Sequence, residues 1–165
     1  MIFFIAKTSD MRYNKVSIHN NLRGAFIMVQ VILGNKGSGK TLKLISLAND
    51  ALQVEKGNIF FIDSNNRHMY DLHRNIRFIN ATEYGVDSAA MFYGMLCGMI
   101  SANFDITLIV VDGLMKMLPS DVTPDKLENF FDRITKLSDE HGVRIVLGMS
   151  GDPEALPEFI TRYAV

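Results

Sequence analysis

This chain has few of the sequence features that are typical of disulfide-bonded, secreted or membrane proteins. Cys97 is the only cysteine, so no intrachain disulfide can form, which favours a reducing cytoplasm. The apolar stretch 91–100 is too short to span a bilayer, which takes about 20 apolar residues. The apolar residues 1–6 are also too short for a secretory signal core, and no small-residue cleavage site follows them. We therefore expect a cytoplasmic protein without a membrane-spanning segment.

An excess of charge is also lacking. The net charge is −1, so nothing draws the whole chain toward nucleic acid or an anionic membrane, although a local basic patch remains compatible with this value. The 165 residues are enough for one domain with a substantial core. Hydrophobic residues make up 48% and charged residues 21%, which is ordinary for an α/β protein.

The most specific pattern is a phosphate-binding loop, G-x-x-x-x-G-K-[ST]. A β-prone segment, 29–33, precedes this loop, and a helical pattern of apolar residues, 42–52, follows it. This strand–loop–helix context argues against a chance glycine turn. The predicted nucleotide-binding residues are Gly34, Asn35, Lys36, Gly37, Ser38, Gly39, Lys40 and Thr41.

The residue types in this loop match the chemistry of a bound triphosphate. Glycines allow the backbone to wrap around a phosphate with its N–H groups inward, and the helix N-terminus adds partial positive charge there. We expect Lys40 to reach the β- and γ-phosphates of the nucleotide, and Thr41 to place its hydroxyl on Mg²⁺.

Residues 1–28 differ from the remainder because they show no clear hydrophobic period. One interpretation is that Met28 is the natural start, in which case residues 1–27 are dispensable for the fold. The other is a genuine extension that forms an edge strand or a partner-binding arm. Residues 29–165 are predicted to form the nucleotide-binding domain.

The rest of the chain alternates between strand and helix patterns, which predicts an α/β fold with three layers and a mainly parallel sheet. Further strands are predicted at 59–62, 77–79, 106–111 and 144–148. Helices are predicted at 68–74, 87–102, 124–140 and 153–163. The helix at 87–102 is apolar on most faces, so we expect it to be buried or at an interface.

Asp112 follows the strongly β-prone segment 106–111 and is the predicted partner of Thr41 on Mg²⁺. In open parallel sheets, ligands bind at the carboxyl ends of the strands. An aspartate in this position is often only a turn residue. After a phosphate loop, we favour the metal-binding role.

The order of these segments resembles the RecA-like branch of the P-loop NTPases, which includes RecA, KaiC-type and DnaB-type domains. Residues 61–64 are similar to that family's second strand, and 108–112 to its metal-binding strand. Residues 145–150 fall where the family has its sensor strand, so the resemblance implies a γ-phosphate sensor at Ser150. It also implies that 29–33 and 108–112 are central strands, with 144–148 between them.

Two departures from the family bear on catalysis. The usual catalytic glutamate follows the second strand or the metal-binding aspartate, and these places hold Asn65 and Gly113. Asparagine can orient water but cannot take its proton, and losing a general base costs about 10²–10⁴-fold in rate. We therefore expect slow hydrolysis, with Asn65 and Asp63 as catalytic candidates and Glu83 as another possible substitute.

Three functions remain open from the sequence, all with ATP and Mg²⁺ as ligands: a weak ATPase or nucleotide-dependent switch, a small-molecule kinase, and a non-catalytic nucleotide-binding interaction protein. A GTPase is disfavoured because the Asn/Thr-Lys-x-Asp pattern is absent. A local cluster of basic residues is either a solvated face or a contact for phosphate, DNA or a neighbouring subunit. Partners beyond the nucleotide are therefore a homo-oligomer or a DNA-associated assembly. The cluster comprises Arg67, His68, His73, Arg74 and Arg77.

Overall fold

A computed structural model describes residues 28–165, so the predicted extension before Met28 lies outside the described part of the chain. The strands are β1 (Val29–Gly34), β2 (Asn58–Asp63), β3 (Arg77–Asn80), β4 (Ile106–Val111) and β5 (Arg144–Ser150). The helices are α1 (Lys40–Ala51), α2 (Ala89–Ala102), α3 (Leu114–Met117), α4 (Glu128–His141) and α5 (Glu158–Thr161). Short 3-10 turns form at Met69–Asp71, Ala81–Tyr84 and Pro124–Leu127.

The strands form one parallel sheet in the order β1-β5-β4-β2-β3, which confirms the predicted α/β class. The strand β5 lies between the strand before the phosphate loop and the strand before Asp112, as predicted. All carboxyl ends of a parallel sheet point the same way. The loop after β1, Asp63 after β2 and Asp112 after β4 therefore meet at one edge.

Both faces of the sheet are covered by helices, which fits the predicted three layers. Side chains alternate along β4: Leu108 and Val110 pack with α1, whereas Ile109 and Val111 face α2 and α4. Every residue of β4 except Thr107 is buried. Such continuous burial is typical of a parallel strand inside two helical layers and explains its unbroken apolar sequence.

The strand β1 is at an edge of the described sheet, so the expectation that 29–33 would be central is wrong. Among residues 28–165, the only pairing beyond β1 is an isolated parallel bridge between Val31 and Ala164. The Val31 N–H donates to Tyr163 O, and the Val165 N–H donates to Val31 O. The resemblance to RecA-like domains implied the central position, and the apolar sequence of β1 agreed with it because helices cover both faces of the strand. Burial of the faces does not reveal how many strands flank a strand.

The predicted helices differ most from the observed helices where the apolar periodicity of the sequence is weak. The helix expected at 68–74 is only the turn Met69–Asp71, and the one expected at 153–163 shortens to α5, which begins after Pro157. The helix expected at 124–140 starts as a 3-10 turn, continues as α4, and ends at Gly142 with φ +65°.

Within residues 28–165, the helix α2 buries one face only, so of the two expected alternatives, burial or an interface, burial holds for that face alone. Its buried side chains are Phe92, Leu96 and Ile100, which recur at helical spacing, whereas Met91 is exposed. Its start at Ser88 follows from capping, because the Ser88 hydroxyl accepts a hydrogen bond from the Met91 N–H. The predicted interface role of this helix stays a prediction.

Candidate functional site

The loop between β1 and α1 has the backbone conformation that its glycines permit. Gly37 and Gly39 both have positive φ, +83° and +82°, which other residues adopt only with strain. Gly34 is required for another reason. A Cβ at this position would lie 2.5 Å from Ser38 Oγ, so the loop closes tightly only because the side chain is absent.

The N-terminus of α1 opens into this loop with its positive end uncompensated. No side chain caps the helix and no acidic residue occupies its first turn. Three or four N–H groups at a helix start have no partner within the helix, and together with the helix dipole they favour an anion. The first turn of α1 therefore offers what a phosphate group requires.

Lys40 brings a second positive group to the same place. It is 9% exposed, and its Nζ donates to Asn35 O at 2.8 Å, across the loop. The Ser38 N–H also donates to Asn35 O, at 3.1 Å. The ammonium is thus held over the loop rather than extended into solvent, within reach of a group bound there.

Thr41 and Asp112 are in direct contact although they are 71 residues apart in sequence. Thr41 Oγ1 donates to Asp112 Oδ2 at 2.5 Å, and the Asp112 N–H donates to Ile62 O at 2.8 Å. The predicted pair of hard oxygen groups is therefore assembled at the carboxyl end of β4. A hydroxyl and a carboxylate are donors suited to Mg²⁺, which usually takes its remaining ligands from water and substrate phosphates.

Gly148 is a residue of this site that the sequence analysis did not identify. It lies on β5, and a Cβ there would be 2.6 Å from Leu44 Cδ1 and 3.1 Å from Asp112 Oδ1. The missing side chain lets α1 pack closely on the sheet, so that Thr41 can cross β5 to Asp112. A glycine inside an apolar strand pattern was the available signal.

Asp63 is 1% exposed at the end of β2, with two neighbours that hold its Oδ1. The Ser64 N–H donates to Oδ1 at 2.6 Å and Asn65 Nδ2 at 3.3 Å. Burial raises the pKa of Asp63, and the Asp112 carboxylate acts in the same direction, while the Ser64 N–H and the Lys116 ammonium oppose them. Asp63 and Asp112 thus bring two buried carboxyl groups to one end of the sheet.

Gly113 follows Asp112 in the left-handed region, with φ +70°. A Cβ at this position would lie 3.4 Å from Ser64 Oγ and 3.6 Å from Asp63 Oδ1, so the turn after β4 packs against the end of β2. Lys116, one turn further on, was also missed from the sequence. Lys116 acts on the carboxyl group of Asp63, which is far from it in sequence, so no local pattern indicated this contact.

The remaining predicted residues are at the same end of the sheet or beside it. Ser150 ends β5 opposite Gly34, where the Gly151 N–H donates to Gly34 O, and its side chain is exposed. Glu83 bonds instead with Asn66 and Asn80 near β3. These contacts make Asp63 a better candidate than Glu83 for acting on a group at the phosphate loop.

Comparisons with known proteins add no assignment. No protein-family model matches this chain, and a search of curated proteins finds no similar sequence.

Among residues 28–165, no helix has the length and apolarity needed to cross a membrane. In the same part of the chain, no three histidine, cysteine, aspartate or glutamate side chains come together as a metal-binding group. A cation at Thr41 and Asp112 would therefore need most of its ligands from elsewhere.

Proposed function

We propose that this protein binds ATP·Mg²⁺ at residues 34–41 and acts as a slow ATPase or a nucleotide-dependent switch of the RecA-like type. The contact between Thr41 and Asp112 carries the proposal. A loop that only terminated a strand would have no reason to place its threonine hydroxyl against a buried carboxylate from a different strand. The strand order, with β5 between β1 and β4, supports the RecA-like branch.

The phosphates would be bound by three groups that converge on the loop. These are the backbone N–H groups of the loop and of the first turn of α1, and the ammonium of Lys40. Lys40 would exchange its bond to Asn35 O for phosphate oxygens, which are stronger, charged acceptors. When bound, Mg²⁺ would neutralise phosphate charge and would be held by Thr41 and Asp112.

Slow turnover is supported by the residues beside the proposed phosphate site. Gly113 has no side chain, and Asn65 donates its amide to Asp63. Asp63 is the carboxyl group there that is not assigned to Mg²⁺, and burial raises its pKa above the ordinary aspartate value, which makes its carboxylate a stronger proton acceptor. Its Oδ2 makes no hydrogen bond within the described residues, which leaves one oxygen for a water molecule.

Calorimetry with ATP, in Mg²⁺ and in excess chelator, tests the binding proposal. Wild type should bind more tightly in Mg²⁺, and Asp112→Asn should remove most of that difference while keeping metal-free binding. Asp132→Asn is the matched control, because Asp132 is exposed on α4, away from the loop. Equal effects of Mg²⁺ on wild type and Asp112→Asn would refute the metal assignment.

Measurements of ATP turnover distinguish between the remaining candidate functions. The nucleotide that copurifies should be identified first, and hydrolysis then measured with and without single-stranded DNA or a phosphate acceptor. A slow basal rate that DNA or protein partners change supports the switch. Stoichiometric phosphate transfer to a small molecule would instead establish a kinase.

A further inference from the structure

A cleft of about 390 Å³ lies at β3, the last strand of the described sheet. We call it the tyrosine cleft. Its volume is within the range of sites that hold small molecules, which is about 300–1,000 Å³. The lining residues come from the segment after β2, from β3 itself and from the 3-10 turn after β3. They include Asn66, Tyr70, Phe78, Asn80, Glu83 and Tyr84.

Two of the lining side chains are tyrosines with little protein contact. Tyr70 is 89% exposed and Tyr84 is 70% exposed, and within residues 28–165 neither ring pairs with another aromatic ring. Exposed aromatic rings provide flat apolar contact area, and the negative face of each ring attracts cations. Phe78, which is half-buried and stacks on Phe61, adds apolar surface to the cleft.

One carboxylate in the cleft is held in position by two amides. Glu83 Oε1 accepts hydrogen bonds from Asn66 Nδ2 at 2.8 Å and from Asn80 Nδ2 at 3.1 Å. Its Oε2 has no hydrogen-bond partner among residues 28–165. The cleft therefore offers a free acceptor oxygen that is already positioned, so that a ligand loses less free energy in ordering it.

The charge of the cleft comes from the same residue. Of the described residues that line it, Glu83 is the only charged one, and the nearby Arg67 and Arg77 do not line it. A carboxylate prefers a charged donor to a neutral one, because charge-assisted hydrogen bonds are about twice as strong. A free carboxylate oxygen beside aromatic rings therefore favours a cation that carries N–H groups.

We propose that the tyrosine cleft binds a small protonated amine whose body is a flat ring. The ammonium donates to Glu83 Oε2, and the ring lies against Tyr70 or Tyr84. Two flat rings in contact gain more than a ring and a flexible chain, so the ligand is an aromatic amine rather than an aliphatic one. Nothing in this contact involves the phosphate loop, so the amine site and the nucleotide site can be tested separately.

The ligand is a free small molecule rather than a lysine side chain of another protein. A lysine side chain carries its ammonium on a flexible chain without a flat face. Nα-acetyl-lysine methylamide, which imitates lysine within a peptide, should therefore bind more weakly than benzylammonium. Equal or tighter binding of this lysine analogue would overturn the proposed ligand class.

NMR titration of the isotope-labelled full chain with benzylammonium tests the proposal. The backbone amide shifts of Tyr70, Glu83 and Tyr84 should change together and give one dissociation constant. Benzyl alcohol has the same ring without the charge, and it should bind about tenfold more weakly because one charge-assisted hydrogen bond is lost. Benzyltrimethylammonium keeps the charge but has no N–H group, so it should also bind more weakly, and equal binding would overturn the hydrogen bond to Glu83.

Glu83→Gln is the most direct variant, because glutamine keeps an oxygen for Asn66 and Asn80 but replaces the free Oε2 with an amide that donates. It should weaken benzylammonium binding about tenfold and leave benzyl alcohol binding unchanged. At least one of Tyr70→Ala and Tyr84→Ala should weaken binding of both probes by about 2- to 10-fold, the range for one aromatic contact. The phenylalanine variant at the same position keeps the ring and should bind like wild type.

Three control variants show whether binding depends on the tyrosine cleft in particular. Glu128→Gln removes an exposed carboxylate on α4, and Phe104→Ala removes a ring that is 87% exposed between α2 and β4. Both should leave benzylammonium binding unchanged, as should Lys40→Ala even if ATP binding is lost.

Four results would overturn the proposal. Benzylammonium leaves the amide shifts of the cleft unchanged, or benzyl alcohol binds as tightly as benzylammonium. Alternatively, Glu83→Gln has no larger effect than Glu128→Gln, or both tyrosine-to-alanine variants bind like wild type.

Discussion

Lys40→Ala is the change that most directly tests the phosphate site. In a bound complex, the Lys40 ammonium would make two charge-assisted hydrogen bonds to phosphate oxygens, each contributing about 1.5–3 kcal/mol. Binding also breaks the bond from Lys40 Nζ to Asn35 O, which offsets about 1 kcal/mol. The net loss is about 2–5 kcal/mol, so affinity for ATP·Mg²⁺ should fall between about 30-fold and a few thousand-fold.

Isothermal titration calorimetry of the full chain measures this loss. Lys43→Ala is the matched control, since Lys43 is on the same helix one turn below the loop but is exposed. It removes the same charge and should change affinity by less than about threefold, as expected of a screened surface charge. Thermal unfolding of both variants without nucleotide checks that the loop still folds.

Two results would refute this reasoning. One is equal affinity of wild type and Lys40→Ala, which would mean that ATP binds elsewhere or not at all. The other is an equal loss in Lys40→Ala and Lys43→Ala, which would reduce the effect to general electrostatic attraction rather than contact with the phosphates.

Three other changes test the neighbouring groups. Asn65→Glu should raise ATP turnover tenfold or more, because a positioned general base contributes about 10²–10⁴-fold to the rate. Asn65→Gln, which adds no carboxylate, should not raise turnover. A glutamate variant that is no faster than wild type would place the general base elsewhere. Asp63→Asn should raise the melting temperature at pH 7 without Mg²⁺. The pKa of Asp63 is raised in the folded state, so its ionised form destabilises the fold above that pKa. This advantage should shrink as the pH falls toward about 3.9, the ordinary aspartate value, and a constant difference across pH would contradict the assignment. Gly148→Ala should lower the free energy of unfolding in urea by about 1–3 kcal/mol, because its Cβ would lie 2.6 Å from Leu44 Cδ1. Gly94→Ala is its control: Gly94 is on α2 with no atom near a Cβ, so alanine should stabilise the helix by up to about 1 kcal/mol.

The local sequence pattern was sufficient to predict the strands and the conformation of the loop at residues 34–41. Each predicted strand forms, with ends that move by at most two residues, because a buried parallel strand has an uninterrupted apolar sequence. The loop conformation follows from glycine itself, since Gly37 and Gly39 adopt angles that other residues avoid. Helices were less predictable, because the polar segments 68–74 and 153–163 have weak apolar periods and satisfy their backbone groups in short turns.

The amino-acid sequence by itself determined the α/β class, the glycine-rich pattern at residues 34–41 that predicts phosphate binding, and the residue types available to hold a cation. These depend on local periodicity and on residues close together in the chain. Only the tertiary structure placed β1 at the sheet edge, brought Asp63 beside Asp112, and revealed that Gly148 lets Thr41 reach Asp112. Those outcomes depend on which strands become neighbours. That choice is settled by packing among residues far apart in sequence, which no local pattern records.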